Sequence, residues 1–395
     1  MQALENKIKV ALAHGKLSGY VLQAISGDGP QHNDRGLGNG YSKTFGYRSA
    51  SPDSTSLRST DIFALISCGK IVVSVAILQL VERGLIGLDS DVGVLLPELP
   101  RTVIARIDDH GSPVLRDCHS PIKLRDLLTH AAGLPYFHPL LSNYLDSIGK
   151  RPLQGATVAE RFGLPQLAEP GESFDYGCSF DWLGKIIERL TESDLDSYVE
   201  ENICNPLGIS DIFFSMARLE DVQHRLVSTV KIDEQGMAVP DTQGSINDGI
   251  TECFGGQSGH ANLDSLLTIL QSLLSNDGRL LKPESATEMF KPQLSESSRR
   301  ALNEQIKTRS GLAHLFTEGK GDYNWSFAGR VKLSKDGTVE RTDWFGMMNT
   351  HWFIDHIRRF CGIFGTQLLP MGEPGVEKLC LEWVDAISHQ HEAAA

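Results

Sequence analysis

The sequence predicts an α+β fold: an antiparallel sheet flanked by helices, forming an α/β sandwich, with a mainly helical lobe inserted into it. Three observations predict it. A strand pair precedes the first buried helix, the middle third is patterned for helices, and the last third turns to strands closed by one helix. On this basis residues 1–85 and 250–395 form the sandwich lobe and 86–249 the helical lobe, with a site in the cleft between them.

A chain of 395 residues is long enough to bury a large core and to divide in two. Its hydrophobic fraction of 41% and charged fraction of 22% are those of a soluble globular protein. The net charge of −13 argues against nucleic acid as a partner, because phosphate binding rests on lysine and arginine. No stretch reaches the ~20 apolar residues needed to cross a bilayer, and the N-terminal MQALENKIKVALAHGKL is an amphipathic helix without an apolar signal core. A cytoplasmic protein with no membrane partner is expected. The seven cysteines are odd in number and scattered without a Cys-x-x-Cys pair, which suits reduced thiols. Thirteen histidines form no metal-ligand spacing, and His389 and His391 fall in a tail expected to fray, so neither a metal nor a cofactor is expected.

In order along the chain, Gly19 to Ser26 reads as a strand, Gly27-Asp28-Gly29-Pro30 as a turn, and Tyr41 to Tyr47 as the antiparallel partner. An extended apolar run, Ile62 to Ile66, then ends at Ser67, and from Cys68 an apolar helix runs to a glycine stop at Gly84. Arg101 to Ser120 is polar and reads as a surface loop. Ile122 to Leu134 has helical periodicity ending at Gly133, with His130 packing near the helix end. Further helices are expected at 156–161, 180–190 and 194–203, the last stopped by Pro206 and Gly208. The glycine-rich stretch Glu252 to Gly259 fits neither a P-loop nor a dinucleotide fingerprint and reads as close backbone packing near the cleft, ahead of a helix at 262–274. Residues 291–322 read as a mobile loop. Strands at 325–333, 337–344, 350–354 and 360–368 and a helix at 376–387 complete the chain.

Chemistry points to Ser67. Lys70 lies three residues on, so on a helix the two share a face, and the positive end of the helix favours the alkoxide that must form. A desolvated lysine becomes neutral more readily and can then take the serine proton. The spacing alone is unspecific, since it recurs at Ser120/Lys123, Ser147/Lys150 and Ser228/Lys231, and it also fits a core helix with a serine N-cap. Context separates Ser67, which alone sits between a strand-like run and a helix apolar all round. The same position predicts a buried Lys70 with a depressed pKa. Cys68, with no histidine partner at a recognisable spacing, reads as a packing residue.

Taken together, Ser67-Cys68-Gly69-Lys70 followed by AILQLVERGLIGLDSDV, KLRDLLTHAAGL, PGESFDYGCSFDWLGKIIERL and ENICNPLGISDIFF resembles the serine β-lactamase and penicillin-binding-protein superfamily. Within it the chain is similar to the class C-like esterases and fungal acyltransferases, over about residues 5–390. The resemblance implies a β-lactamase-like fold in which Ser67 is acylated, Lys70 is its partner and Tyr176 relays the proton. It also sets Trp344-Phe345-Gly346-Met347 where the family keeps its Lys-Thr-Gly or His/Trp-x-Gly strand, so Trp344, Gly346 and Met347 would bind substrate and the oxyanion, with the N–H groups of Ser67 and Met347 as donors. Two departures carry weight. Cys178 stands where the family's Tyr-x-Asn has its asparagine, and the Lys-Thr-Gly lysine is absent, removing the cation that would hold a β-lactam or peptide carboxylate.

The resemblance therefore implies transfer of an acyl group from a thioester or ester, with an acyl-carrier protein or acyl-CoA as donor, to an alcohol of a small secondary metabolite. An esterase with the same machinery, a catalytically inactive binding protein, and a cyclisation or elimination on the same site are the alternatives. The oligomeric state is left open.

Overall fold

The computed structural model describes residues 1–27, 40–51 and 53–394; residues 28–30 of the expected turn at Gly27-Asp28-Gly29-Pro30 lie outside the described residues. Seven strands form one antiparallel sheet in the order Asp322–Trp325, Arg330–Leu333, Val339–Phe345, His351–Asp355, Phe360–Gly365, Gly19–Ser26, Tyr41–Gly46. The N-terminal pair is thus added to the edge of a C-terminal meander, with Val21 opposite Gly365 and Ser26 opposite Phe360.

Side chains alternate across a strand, so each face of this sheet has its own cover. Tyr41 and Lys43 point to one face, where both donate to Glu5 of the helix Gln2–Ala13, at 2.9 and 2.6 Å, and Tyr41 packs on Trp383 of the helix Pro374–Ala394. Gln23 and its cross-strand partner Ser42 point to the other, where Gln23 bonds Asp264 of the helix Leu263–Ser275. Gly365 has no side chain because Leu263 fills the space one would need. The fold is the α+β sandwich that the sequence predicts.

The helix Lys70–Glu82 lies at the centre, buried continuously from Lys70 to Leu80. Each fully buried Ile, Val or Leu on it contributes about 1.5–3 kcal/mol. Its polar residues are satisfied: Ser74 donates to Phe327 O at 2.6 Å, and Gln79 donates to Asn202 O and Leu280 O and accepts from Tyr198. Among the described residues no helix is long and apolar enough to cross a membrane.

Several segments differ from expectation. The supposed loop at 101–120 holds a hairpin, Thr102–Ile107 with Pro113–Asp117, which buries only Val103 and Ile104 and turns Arg106, Leu115, Arg116 and Asp117 to solvent. The helix expected at 122–134 is only Leu124–Leu128, since His130 takes a left-handed backbone (φ +56°) that ends it. Pro206 does not stop the helix after Asp194: the chain widens by one residue per turn at Glu200–Cys204, runs through Asn205–Leu207, and stops at Gly208 (φ +65°). The supposed mobile loop at 291–322 contains the helix Glu296–Thr308, and the strand expected at 325–333 is a hairpin folded at Ser326–Gly329. The C-terminal helix continues past His389 and His391 to Ala394, where fraying was expected.

Candidate active site

The short strand Ile62–Ala64 pairs with His260–Asn262, and Leu65 N–H donates to Gly259 O at 2.8 Å, so the chain arrives at Ser67 fixed against the glycine-rich segment. Ile66 then adopts φ +48°. A left-handed backbone is a true outlier for a β-branched residue and costs about 1–3 kcal/mol. The reversal turns the chain from the strand into the tight turn Ile66–Gly69 and, from Lys70, into the central helix.

Lys70 is 3% exposed. Its Nζ donates to Ser67 Oγ at 3.0 Å and Gly256 O at 2.7 Å, and faces Tyr136 Oη at 3.4 Å. Burial pushes its pKa down, and the charge of Asp181 pulls against that fall. Tyr136 donates to Asp181 Oδ2 at 3.0 Å, and Gly256 N–H donates to Asp181 Oδ1 at 2.9 Å. Burial raises the Asp181 carboxyl, with Lys70, Gly256 and Tyr136 working in the opposite sense.

Tyr176 comes from the loop before the helix Ser179–Thr191 and presents its phenol to the Ser67 hydroxyl. The loop enters closely because residue 177 is glycine: a Cβ there would land on Leu134 O. Trp344 Nε1 donates to Tyr176 Oη at 2.7 Å. Burial raises the phenol's pKa, while the hydrogen bonds with Ser67 and Trp344 lower it. His130 is wholly buried against Tyr176, Phe174, Phe180 and Trp325 and accepts from Gly177 N–H at 3.3 Å; burial holds it neutral, so it packs beside the site as expected.

The strand Val339–Phe345 brings the remaining residues. Gly346 lies so close to Leu65 that a Cβ would meet its carbonyl, and its N–H donates to Thr350 O at 2.7 Å. Met347 follows and lines the same cavity as Ser67, of about 450 Å³. Ile66, Leu153, Leu312, Phe345 and Met371 make its apolar walls, and its described lining carries no charged side chain. An adjoining, more polar hollow of about 1170 Å³ shares Tyr136, Phe137, Tyr176 and Leu312 with it and adds His138, Ser173, Asp175 and Gln305.

Ser67, Lys70, Tyr176, Gly346, Met347 and Trp344 therefore meet in one place. Trp344 does so differently from the substrate-binding role expected of it: it is 2% exposed, and its indole holds the Tyr176 phenol. Cys68 is buried, donating to Thr350 O at 3.1 Å, and Cys178 lies 3.7 Å from Leu134 O, with burial raising both thiols. Among the described residues no group of three or more His, Cys, Asp or Glu could hold a metal ion. Sequence reasoning missed Tyr136, Asp181 and the bend at Ile66. One signal pointed to Asp181, an acidic residue among the apolar positions of FDWLGKII, although an acid in a helix's first turn has an ordinary explanation. Nothing in the sequence marks Ile66.

Known proteins share this arrangement of chain. The ML-236A carboxylate methylbutanoyltransferase of Penicillium citrinum is 30% identical over 411 residues, 98% of this chain and 94% of that one. The lovastatin esterase of Penicillium rubens is 32% identical over 388 residues, 93% of each. A solved simvastatin synthase mutant from Aspergillus terreus superposes with a TM-score of 0.89 at 30% identity, covering 99% of this chain and 95% of that one. The sequence model of the Beta-lactamase family matches residues 4–364, and the protein belongs to that family, within the serine β-lactamase and penicillin-binding-protein superfamily.

Proposed function

We infer that this protein is an acyltransferase working through an acyl-serine intermediate, moving an acyl group from a thioester or ester donor to an alcohol of a small secondary metabolite. The observation that carries this is the Lys70 amine 3.0 Å from the Ser67 hydroxyl at an uncharged, apolar cavity. Ser67 Oγ attacks the acyl carbon while Lys70 and Tyr176 take its proton and pass it to the leaving group. The N–H groups of Ser67 and Met347 hold the tetrahedral oxyanion, an interaction worth about 3–4 kcal/mol per donor. An acceptor hydroxyl then repeats the attack on the acyl-serine. The apolar walls suit an uncharged acyl chain, and the polar hollow beside them suits a hydroxylated acceptor. The name of the Penicillium citrinum relative supports acyl transfer of this kind.

We further assign residues 1–85 and 250–395 to one lobe and 86–249 to another. Ser67, Gly256 and Met347 come from the first, Tyr136, Tyr176 and Asp181 from the second, so the site lies between them. An acyl-carrier protein or acyl-CoA fits as donor, and the free thiols of all seven cysteines suit the reducing cytosol.

Hydrolysis by the same machinery is the alternative, favoured by the likeness to the lovastatin esterase. Intact-mass measurement after incubation with an acyl thioester or p-nitrophenyl ester tests the scheme. An adduct on wild type that is lost in Ser67→Ala is expected. Neither adduct nor turnover with any short-chain ester would leave a binding protein. Adding small alcohols separates transfer from hydrolysis: ester forming faster than free acid marks a transferase.

A further inference from the structure

Besides meeting Ser67, Lys70 is tied through shared partners to a carboxylate that the serine, lysine and tyrosine scheme does not use. Asp181 is 0% exposed, surrounded on its helix by the buried Phe180, Trp182 and Leu183. A carboxylate in such a place is retained only when hydrogen bonds and an opposite charge compensate for lost water. Gly256 N–H and the Tyr136 hydroxyl each donate to one of its oxygens. The same two groups face Lys70, the Gly256 carbonyl accepting at 2.7 Å and the Tyr136 oxygen lying at 3.4 Å. Amine and carboxylate are thus joined twice, through a peptide and through a phenol. This also explains a glycine at 256, where a Cβ would stand 2.8 Å from the Tyr136 oxygen and 3.0 and 3.1 Å from the carboxylate oxygens.

We propose that Asp181 is a positioning residue for Lys70, holding the amine beside Ser67 through the Tyr136 hydroxyl and the Gly256 peptide and governing when it releases its proton. The inference rests on Lys70 serving Ser67, as proposed above. As an ammonium, Lys70 has three hydrogens for three acceptors, Ser67 Oγ, Gly256 O and Tyr136 Oη, which is the resting state that a nearby carboxylate stabilises. The other titratable groups facing the pair are Cys68, Cys178, Tyr136, Tyr176, His130 and Arg161. Burial keeps the two thiols and two phenols protonated and the imidazole neutral, so Arg161, facing the carboxylate, is the other charge among them.

Asp181→Asn tests this, because the amide keeps the shape and can still accept from Gly256 N–H while the charge is lost. A carboxylate raises the pKa of an amine beside it, so without it Lys70 deprotonates at lower pH. The acid limb of kcat/KM for a p-nitrophenyl ester should move down by about one pH unit or more. With the amine less well held, kcat on the plateau should fall about tenfold and KM should stay within about twofold. Asp181→Glu restores the charge and should bring the limb back towards wild type. Tyr136→Phe breaks one of the two links and should shift the limb the same way by less. A folded Asp181→Asn with its acid limb unmoved overturns the proposal, and if that variant does not fold, an unmoved limb in Tyr136→Phe does so. Direct NMR titration of the Lys70 amine in wild type and variant keeps the inference separate from the acyl-serine scheme. If Ser67 proves unreactive, the kinetic readout is lost, yet an unchanged Lys70 titration still refutes the role of Asp181.

Discussion

Replacing Trp344 with phenylalanine isolates one hydrogen bond in the site. The indole N–H donates to Tyr176 Oη at 2.7 Å and opposes the rise in pKa that burial imposes on the phenol. Phenylalanine keeps a ring against Tyr176, Trp325 and Phe345, whose centroids lie 4.6, 4.6 and 4.7 Å away, but has no donor. A hydrogen bond to a group that gains charge is worth about 1.5–3 kcal/mol. At ~1.36 kcal/mol per tenfold, acylation should slow by about 10- to 150-fold. The smaller ring leaves a void of roughly 40 Å³, which at ~24 cal/mol per Å³ costs about 1 kcal/mol of stability. Trp352 supplies the control: it pairs with Trp344 across the neighbouring strand, and its own buried indole N–H has no partner among the described residues. Trp352→Phe should therefore lose similar packing while keeping the acylation rate within about threefold. Single-turnover acylation by a p-nitrophenyl ester, followed beside urea unfolding for both variants, decides the matter. If Trp344→Phe acylates within twofold of wild type, or if Trp352→Phe slows as much, the indole is not what prepares Tyr176.

Gly256→Ala should lower kcat at least tenfold, because the added methyl would stand within 3.1 Å of the Tyr136 and Asp181 oxygens; wild-type turnover in a folded variant would show that this contact is not needed. Cys68→Ala should destabilise the protein by about 1–2 kcal/mol yet still give the Ser67 adduct, since its buried thiol meets backbone at Thr350 and Gly346 and stays protonated; loss of the adduct in a folded variant would point to a thiol mechanism. Stability should fall on acidification from pH 7.5 to 5.5. Burial depresses His260 and His356 to about 4, His351 to about 3 and His130 well below the usual imidazole range, so below pH 6.5 the unfolded chain gains protons that the folded one refuses. Each of the four costs about 1.3 kcal/mol over that interval, and the raised Asp181 carboxyl offsets part, leaving a loss of roughly 4 kcal/mol. Urea midpoints at the two pH values measure it, and an equal or higher midpoint at pH 5.5 would contradict the assignment.

The elements legible in the sequence were those with a strong apolar signal. Gly19–Ser26 is buried at all but its last position, and the central helix is buried all round, so neither needed tertiary context to be seen. The helix Glu296–Thr308 was hidden because it buries only Ser298, Leu302 and Ile306, a narrow stripe at spacing four amid charges. The hairpin 102–117 was hidden for a similar reason, its second strand having no fully buried residue. In the site, Ser67 and Lys70 were legible because they are close in sequence. Tyr136 and Asp181 reach Lys70 only through folding, and the bend at Ile66 answers to its neighbours rather than to any preference of isoleucine.

The order in which the sheet is assembled has a consequence for biosynthesis. Strand Gly19–Ser26 leaves the ribosome more than 300 residues ahead of Phe360–Gly365, the strand that satisfies one of its edges. At ~5–20 residues per second, the intervening stretch takes about 17–70 s to make. Throughout that interval a long apolar strand has an open edge, the kind of surface that pairs with other nascent chains. Slow, cool expression with abundant chaperones should therefore raise the yield of soluble protein, and truncations that remove the last strands should aggregate rather than fold.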